Sequence, residues 1–148
     1  MTDRTEAIRL GIVGIGAISQ VVHVPILTER NDVAVTALAD ADPHKAQTLA
    51  DRYGVARVLD WEELVEDPDL DAVVLTTPNH LHEDMSVRAL EAGKHVLVER
   101  PLASTSEGAR HIVDAAERTG KILMVGMPHR FRPEVSALRN LVAGGELG

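Results

Sequence analysis

The sequence contains no cysteine and only three aromatic residues, and each scarcity excludes a class of function. Without cysteine the chain has no disulfide, no thiolate nucleophile and no cysteine-ligated metal, which fits a reducing cytoplasm. One tryptophan, one tyrosine and one phenylalanine are too few for a platform that stacks nucleic-acid bases. The net charge of −8 also opposes binding to phosphate backbones. We therefore predict a cytoplasmic protein with no nucleic-acid partner.

The chain also lacks a hydrophobic run long enough to cross a bilayer. The stretch Leu10–Ile18 behind Arg9 could be mistaken for a signal peptide, but Asp3 and Glu6 interrupt the positive region. No small-residue cleavage site follows it. Apolar residues make up 45% of the sequence and charged residues 26%, as in ordinary globular proteins. We predict a soluble domain with no membrane partner.

What the sequence does contain is an apolar run that ends in two closely spaced glycines. Residues Ile8–Val13 predict a buried strand, and Gly14 permits a tight turn after it. Gly16 removes the side chain that would keep a phosphate away from the backbone. A helix that begins near Ala17 would turn the N–H groups of Ala17 and Ile18 toward an anion. This pattern predicts a dinucleotide-binding turn, although glycines alone also end strands for local reasons.

Strands and helices alternate along the rest of the chain with short connections. Strands are predicted at 8–13, 33–39, 57–59, 72–75, 95–98 and 122–125, and helices at 17–30, 81–92 and 134–143, with others capped by Asp42, Asp60 and Ser104. This order predicts a Rossmann-type α/β fold, a doubly wound parallel sheet with helices on both faces and no second domain. We divide the sequence into a flexible N-terminus at 1–7, a dinucleotide-binding domain at 8–133, and a terminal helix and tail at 134–148.

An acidic residue ends the second predicted strand. In such sheets the ligand lies at the carboxyl ends of the strands, where the strand order reverses. The carboxylate of Asp40 can accept hydrogen bonds from both ribose hydroxyls there, and it would repel a 2′-phosphate. Ala41 and Asp42 offer no arginine to compensate that charge. We therefore predict NAD as the cofactor, with NADP less favoured.

Polar residues also follow the fourth and fifth strands and would face the same crevice. They could surround the ribose and nicotinamide, or they could only form turns and cap the next helices. His80 and His82 are two residues apart, so they do not share a helix face, and we predict no metal site. The candidate cofactor-binding residues at these two strand ends are Thr76, Thr77, Pro78, Asn79, His82, Glu99, Arg100 and Pro101.

The order of these motifs resembles the glucose–fructose oxidoreductase/inositol dehydrogenase (Gfo/Idh/MocA) family of nicotinamide-dependent oxidoreductases. The resemblance covers nearly the whole chain and is most specific from Thr76 to Ala103. The segments that carry it are Gly14–Ile18, His23–Pro25, Thr77–Asn79 with His82, Leu90–Val96, Glu99–Ala103 and His129–Pro133.

The resemblance implies a Rossmann domain that binds NAD(H) or NADP(H) and exchanges hydride with a hydroxyl-bearing carbon of a sugar or cyclitol. In the family, the lysine of a Glu-Lys-Pro segment contacts substrate and assists proton transfer, and here Arg100 stands in its place. Arginine keeps its charge, so Arg100 can orient the substrate or stabilise an oxyanion but cannot shuttle a proton. Arg100 is nevertheless the predicted catalytic residue, and His82 and His129 are the other candidate partners for the proton.

Family members continue into a C-terminal α/β domain that supplies most substrate contacts, a histidine acid/base and the oligomer interface. Because this sequence stops at Gly148, we expect the cofactor half of such an enzyme, a fragment or a truncated gene product, with weak or absent turnover. An apolar patch exposed at the cleft and the last helix would favour self-association or a partner chain. Two alternatives remain open: a non-catalytic NAD-binding module or subunit that needs a partner chain, and a methyltransferase, which also uses a glycine turn and an acidic residue.

Overall fold

A computed structural model of the protein describes residues 7–146. Residues 1–6 of the predicted flexible N-terminus and residues 147–148 of the tail lie outside this range. The described chain forms six strands, β1 (Ile8–Val13), β2 (Val33–Ala39), β3 (Arg57–Val58), β4 (Ala72–Leu75), β5 (His95–Glu99) and β6 (Leu123–Gly126). These bounds agree with the predicted strands to within one residue at each end.

The six strands form one parallel sheet in the order β3-β2-β1-β4-β5-β6. The chain moves outward from β1 to β3, crosses back to β4 beside β1, and then moves outward again to β6. The strand order therefore reverses between β1 and β4, and a crevice opens at their carboxyl ends. The predicted doubly wound parallel sheet is confirmed.

Between residues 7 and 146, six α-helices cover the sheet or extend from it: α1 (Val24–Thr28), α2 (Pro43–Tyr53), α3 (Trp61–Glu66), α4 (His82–Glu91), α5 (Ser106–Thr119) and α6 (Pro133–Ala143). On one face, α1 and α2 pack onto β1 and β2 through a core that includes Ile12, Leu38 and Leu49. On the other face, α3, α4 and α5 pack through a core that includes Leu75 and Leu90. The strands carry apolar residues on both sides because helices cover both faces of the sheet.

The starts of the helices follow the predicted caps with two corrections. Asp42 caps α2 as predicted, since its carboxylate accepts the N–H groups of His44 and Lys45. Asp60 precedes α3 but makes no side-chain cap bond. The cap of α5 is Thr105 rather than Ser104, and its hydroxyl accepts the Gly108 N–H at 3.0 Å. Ser104 and Thr105 are adjacent and both carry a hydroxyl group that could cap α5, so the local sequence pattern alone does not choose between them.

An apolar surface remains uncovered at the end of the chain. Met124 pairs with Leu97 in the sheet register and lies on the α1–α2 face, where its side chain is 45% exposed. A groove of about 830 Å³ runs beside it, and α6 has no buried residue. We call the exposed apolar residues of this region the β6–α6 surface: Ile122, Met124, Met127, Phe131, Val135, Leu138, Leu141 and Val142. The last helix thus carries exposed apolar residues, as predicted, but the groove lies toward the amino ends of the strands and not at the predicted cleft.

Candidate functional site

The turn after β1 is so tight that only glycine fits at Gly14. Its φ is 91°, in the left-handed region, and a Cβ there would lie 2.8 Å from the backbone carbon and oxygen of Thr76. The buried Ser19 hydroxyl donates to the Gly14 carbonyl at 2.6 Å, and the Thr76 hydroxyl donates to the same oxygen. The turn is thus fastened to the end of β4, and the Thr76 hydroxyl faces the turn.

Gly16, unlike Gly14, faces open space. A Cβ built on Gly16 would meet no other atom within 4 Å, so the space above this part of the turn is open. Ala17 and Ile18 are exposed beside it, at the start of the helical segment. A pyrophosphate needs a backbone that it can approach closely, next to free N–H groups. The residues present therefore fit a dinucleotide.

The Asp40 carboxylate is held firmly beside this turn. Its two oxygens accept the N–H groups of Ile15 at 2.5 Å and of Asp42 at 3.0 Å. The Lys45 ammonium lies 3.4 and 3.5 Å from the same two oxygens. Burial alone would raise the pKa of Asp40, but the two N–H groups and the Lys45 charge outweigh it and lower that pKa below its ordinary value. The carboxylate is therefore ionised and fixed in position.

Lys45 is a residue of this site that the sequence analysis missed. Ala41 and Asp42 carry no compensating positive charge, and the cation that compensates Asp40 lies three residues after Asp42. The signal was available, because an N-cap at Asp42 places Lys45 in the first turn of α2, close to the end of β2.

His82 joins the loop after β4 to the loop after β5. Its side chain is completely buried, with Nδ1 2.7 Å from the Pro101 carbonyl oxygen and Nε2 2.8 Å from the Thr77 carbonyl oxygen. The burial argues against the predicted direct contact with a cofactor. We propose instead that His82 positions the two loops, while Pro78 and Asn79 lie exposed above it.

A histidine and a carboxylate meet at the end of β5. Nε2 of His23 lies 2.9 Å from Oε1 of Glu99, and the other carboxylate oxygen of Glu99 accepts the Arg100 N–H at 3.3 Å. A Cβ on Gly126 would lie 3.0 Å from the Glu99 carboxylate, so the end of β6 is also close. Arg100 itself is exposed. His23 lies in a segment that carried the family resemblance, but the sequence analysis gave it no role.

The structure thus brings the predicted residues to the carboxyl edge of one sheet, at the ends of β1, β2, β4 and β5. His129 is exposed in a 3-10 turn after β6 (Pro128–Phe131). Within residues 7–146, no group of three or more His, Asp or Glu side chains is placed to hold a metal ion. No helix in the same range is long and apolar enough to cross a membrane.

The strand order, the glycine turn and the fixed Asp40 carboxylate define a Rossmann domain of the dinucleotide-binding class. Residues 8–127 match the family model described as an oxidoreductase family with an NAD-binding Rossmann fold. The chain therefore belongs to the Gfo/Idh/MocA oxidoreductase family, and its cofactor class is a nicotinamide dinucleotide. The predicted family is confirmed.

Relatives and solved structures extend this comparison. The chain is 38% identical to the D-glucoside 3-dehydrogenase of Escherichia coli K12, over 97% of this chain and 41% of that protein. It is 37% identical to the inositol 2-dehydrogenase of Acidothermus cellulolyticus, over 99% of this chain and 43% of that protein. The structure of KijD10, a 3-ketoreductase from Actinomadura kijaniata in complex with NADP and TDP-benzene, has a TM-score of 0.86 and 31% identity over 97% of this chain and 44% of that chain. The chain spans less than half of the length of each of these relatives.

Proposed function

We propose that this chain is the cofactor-binding part of an oxidoreductase that transfers hydride between NAD(H) and a hydroxyl-bearing carbon of a sugar or cyclitol. The observation that carries the proposal is the Asp40 carboxylate, held beside an open glycine turn. The substrate class is supported by relatives named as glucoside and inositol dehydrogenases. A cytoplasmic location, with NAD preferred over NADP, completes the proposal.

Each part of the dinucleotide would have its own contacts. The backbone of Gly14, Gly16, Ala17 and Ile18 would hold the pyrophosphate, and Asp40 would accept from the adenosine ribose. When bound, the nicotinamide ring supplies the hydride acceptor or donor. The residues proposed for the nicotinamide end are Thr76, Thr77, Pro78, Asn79, Glu99, Arg100 and Pro101, with His82 beneath them.

Arg100 is the proposed catalytic residue, with a limited role. Its exposed guanidinium can orient a substrate hydroxyl or stabilise an oxyanion, but it stays charged and accepts no proton. The hydroxyl proton therefore needs another acceptor, and we propose that a substrate domain or a partner chain supplies it. The same observation favours the second candidate function, a non-catalytic NAD-binding module or subunit. Either way, we expect weak or absent turnover from these 148 residues alone.

A fluorescence titration with NADH tests the proposed cofactor site. We expect saturable binding to the purified chain, and an NADH affinity lower by about tenfold or more in Asp40→Ala, because a hydrogen bond to a charged group contributes roughly 1.5–3 kcal/mol. Asp60→Ala is the matched control, since that carboxylate makes no cap bond and should leave NADH affinity unchanged. Thermal unfolding of each variant shows whether a lower NADH affinity comes from the lost contact or from an unfolded protein.

Three results, from this titration, from a parallel titration with NADPH and S-adenosylmethionine, and from a polyol oxidation assay, would contradict parts of the proposal. If neither NADH nor NADPH binds, the chain has no working dinucleotide site. If S-adenosylmethionine binds tightly and NADH does not, a methyltransferase is the better assignment. If the purified chain oxidises polyols at ordinary enzyme rates, the expected lack of turnover is wrong.

We expect the 148-residue chain to self-associate through the β6–α6 surface, because apolar side chains there lie open to water. Sedimentation velocity over a range of concentrations should show dimers or larger species. The double variant Phe131→Ser, Leu138→Glu should shift them to monomer. Ile26→Glu changes an exposed apolar residue on α1 and serves as the control. A clean monomer of the unmodified chain at high concentration would contradict this prediction.

A further inference from the structure

The Glu99 carboxylate at the end of β5 has a histidine as its ionic partner. Oε1 of Glu99 lies 2.9 Å from Nε2 of His23, and Oε2 accepts the Arg100 N–H at 3.3 Å. In the part of the chain that the structure describes, no lysine or arginine side chain comes within salt-bridge distance of Glu99. Asp40, by contrast, has an ammonium group beside it. The negative charge of Glu99 therefore has no permanent cation in contact with it.

The Glu99 side chain is held on two sides. His23 and Glu99 are both mostly buried, with 14% and 22% of their side chains exposed. Because an ionised carboxylate only accepts hydrogen bonds, His23 donates to it through the Nε2 N–H. On the other side, Gly126 of β6 pairs with Glu99 in the sheet register, and a Cβ there would lie 3.0 Å from the carboxylate. The glycine leaves room for the carboxylate, and the histidine holds it there.

The segment that carries His23 is also fastened to the glycine turn. The Ser19 hydroxyl donates to the Gly14 carbonyl at 2.6 Å, and the Gln20 side-chain amide donates to the Ile15 carbonyl at 2.9 Å. These residues form a π-helical turn that ends at His23, a rare conformation that is frequent at functional sites. One short segment therefore connects the backbone proposed for the pyrophosphate to the carboxylate at the end of β5.

The strand order places Glu99 on the nicotinamide side of the proposed dinucleotide. Asp40, which is proposed for the adenosine ribose, follows β2 on one side of β1, whereas β4 and β5 lie on the other side. Neighbouring strands are about 4.8 Å apart, so the end of β5 lies roughly 10 Å from the glycine turn, within reach of the second half of a dinucleotide. The oxidised nicotinamide ring carries a positive charge and the reduced ring is neutral. A carboxylate at this end therefore interacts differently with the two rings.

We propose that the Glu99 carboxylate, positioned by His23, shifts the affinity of this site toward the oxidised nicotinamide ring and away from the reduced one. This inference rests on the proposed function, because it concerns the nicotinamide end of the same site. The carboxylate attracts the positive ring of NAD⁺ and has no such attraction for the neutral ring of NADH. A site that stabilises the oxidised form lowers the reduction potential of the bound cofactor, by about 30 mV for each tenfold change in the affinity ratio. Bound NADH is then a stronger hydride donor.

Titrations with NADH and NAD⁺ test the role of the charge. NADH binding is followed by its fluorescence, and NAD⁺ binding by displacement of NADH at constant pH and ionic strength. Glu99→Gln keeps the shape of the side chain and removes its charge, so we expect the ratio of NAD⁺ affinity to NADH affinity to fall about tenfold. ADP-ribose, which lacks the ring, should follow NADH and not NAD⁺ in this variant. Glu83→Gln is the matched control, since that carboxylate pairs with His111 between α4 and α5, and it should leave the ratio unchanged.

Variants of His23 test the positioning role. His23→Leu removes the donor and frees the carboxylate to turn toward water, so the ratio should fall in the same direction as in Glu99→Gln. His23→Gln retains a side-chain N–H of similar reach and should recover most of that loss. Thermal unfolding identifies any variant that does not fold, and Glu99→Gln tests the charge independently because it keeps the packing of the side chain.

The outcomes separate this inference from the proposed function. If NADH and NAD⁺ lose equal affinity in Glu99→Gln, or if neither loses any, the carboxylate does not discriminate between the rings. The inference is then overturned and the proposed function stands. If His23→Gln behaves as His23→Leu does, the positioning role of His23 is overturned. If neither cofactor binds to the unmodified chain, both proposals are overturned.

Discussion

Gly14→Ala is expected to destabilise the domain by about 2–6 kcal/mol, the sum of a left-handed backbone conformation for alanine and of overpacking. The methyl group would lie 2.8 Å from the carbonyl of Thr76 and 2.9 Å from the Thr77 nitrogen, and both are backbone atoms. Neither can move without separating β1 from β4. Urea unfolding followed by circular dichroism measures the loss, and NADH binding should disappear with the fold.

Gly16→Ala is the matched control for this experiment. A Cβ at Gly16 meets no atom within 4 Å, so the free energy of unfolding should stay within about 1 kcal/mol of the unmodified chain. The same methyl group would stand where the pyrophosphate approaches, so NADH affinity should fall in a folded protein. Equal stability of the Gly14 and Gly16 variants would show that the turn is less constrained than its geometry indicates.

His82→Leu is the second substitution for which we expect a large loss in the free energy of unfolding. The leucine removes the imidazole, whose N–H donates to the carbonyl oxygen of Thr77 or of Pro101 according to the tautomer, and a carbonyl left without its donor costs about 1–3 kcal/mol. The loops after β4 and β5 would then separate, so NADH affinity should fall as well. Urea unfolding and NADH titration measure the two effects.

His80→Leu is the control for His82, because His80 is an exposed histidine in the adjacent turn (Asn79–Leu81). It should change stability by no more than about 0.5 kcal/mol. His82→Gln retains a side-chain amide that can donate to one carbonyl, so it should recover part of the lost stability. If His82→Leu is as stable as His80→Leu, the two carbonyl contacts do not hold the loops together.

The local elements could be predicted from the sequence because their signals are local. Ile8–Val13 and Val33–Ala39 are apolar runs bounded by turn residues, and the structure gives both strands these bounds. Gly54 and Gly120 end helices in the left-handed conformation, as their positions indicate. Strands, caps and glycine stops depend on residues within a few positions of one another, and these determine the order of elements and so the fold.

The contacts within the site could not be predicted in the same way. His23 and Glu99 lie 76 residues apart, and they meet because the turn after β1 and the end of β5 reach the same edge of the sheet. The burial of His82 likewise depends on how α4 packs under two loops. The π-helical turn Ser19–His23 has no sequence signature that we used. Such features follow from the packing of distant segments, which local propensity does not encode.

The position of His82 has a consequence for how the cofactor site responds to ligands. The loops after β4 and β5 belong to different βα units, yet a single side chain without contact to water connects them. We therefore expect a molecule that orders one loop to restrain the other, so that part of the entropic cost of ordering is shared between them. The two loops of the proposed nicotinamide end would then respond to a bound ligand together.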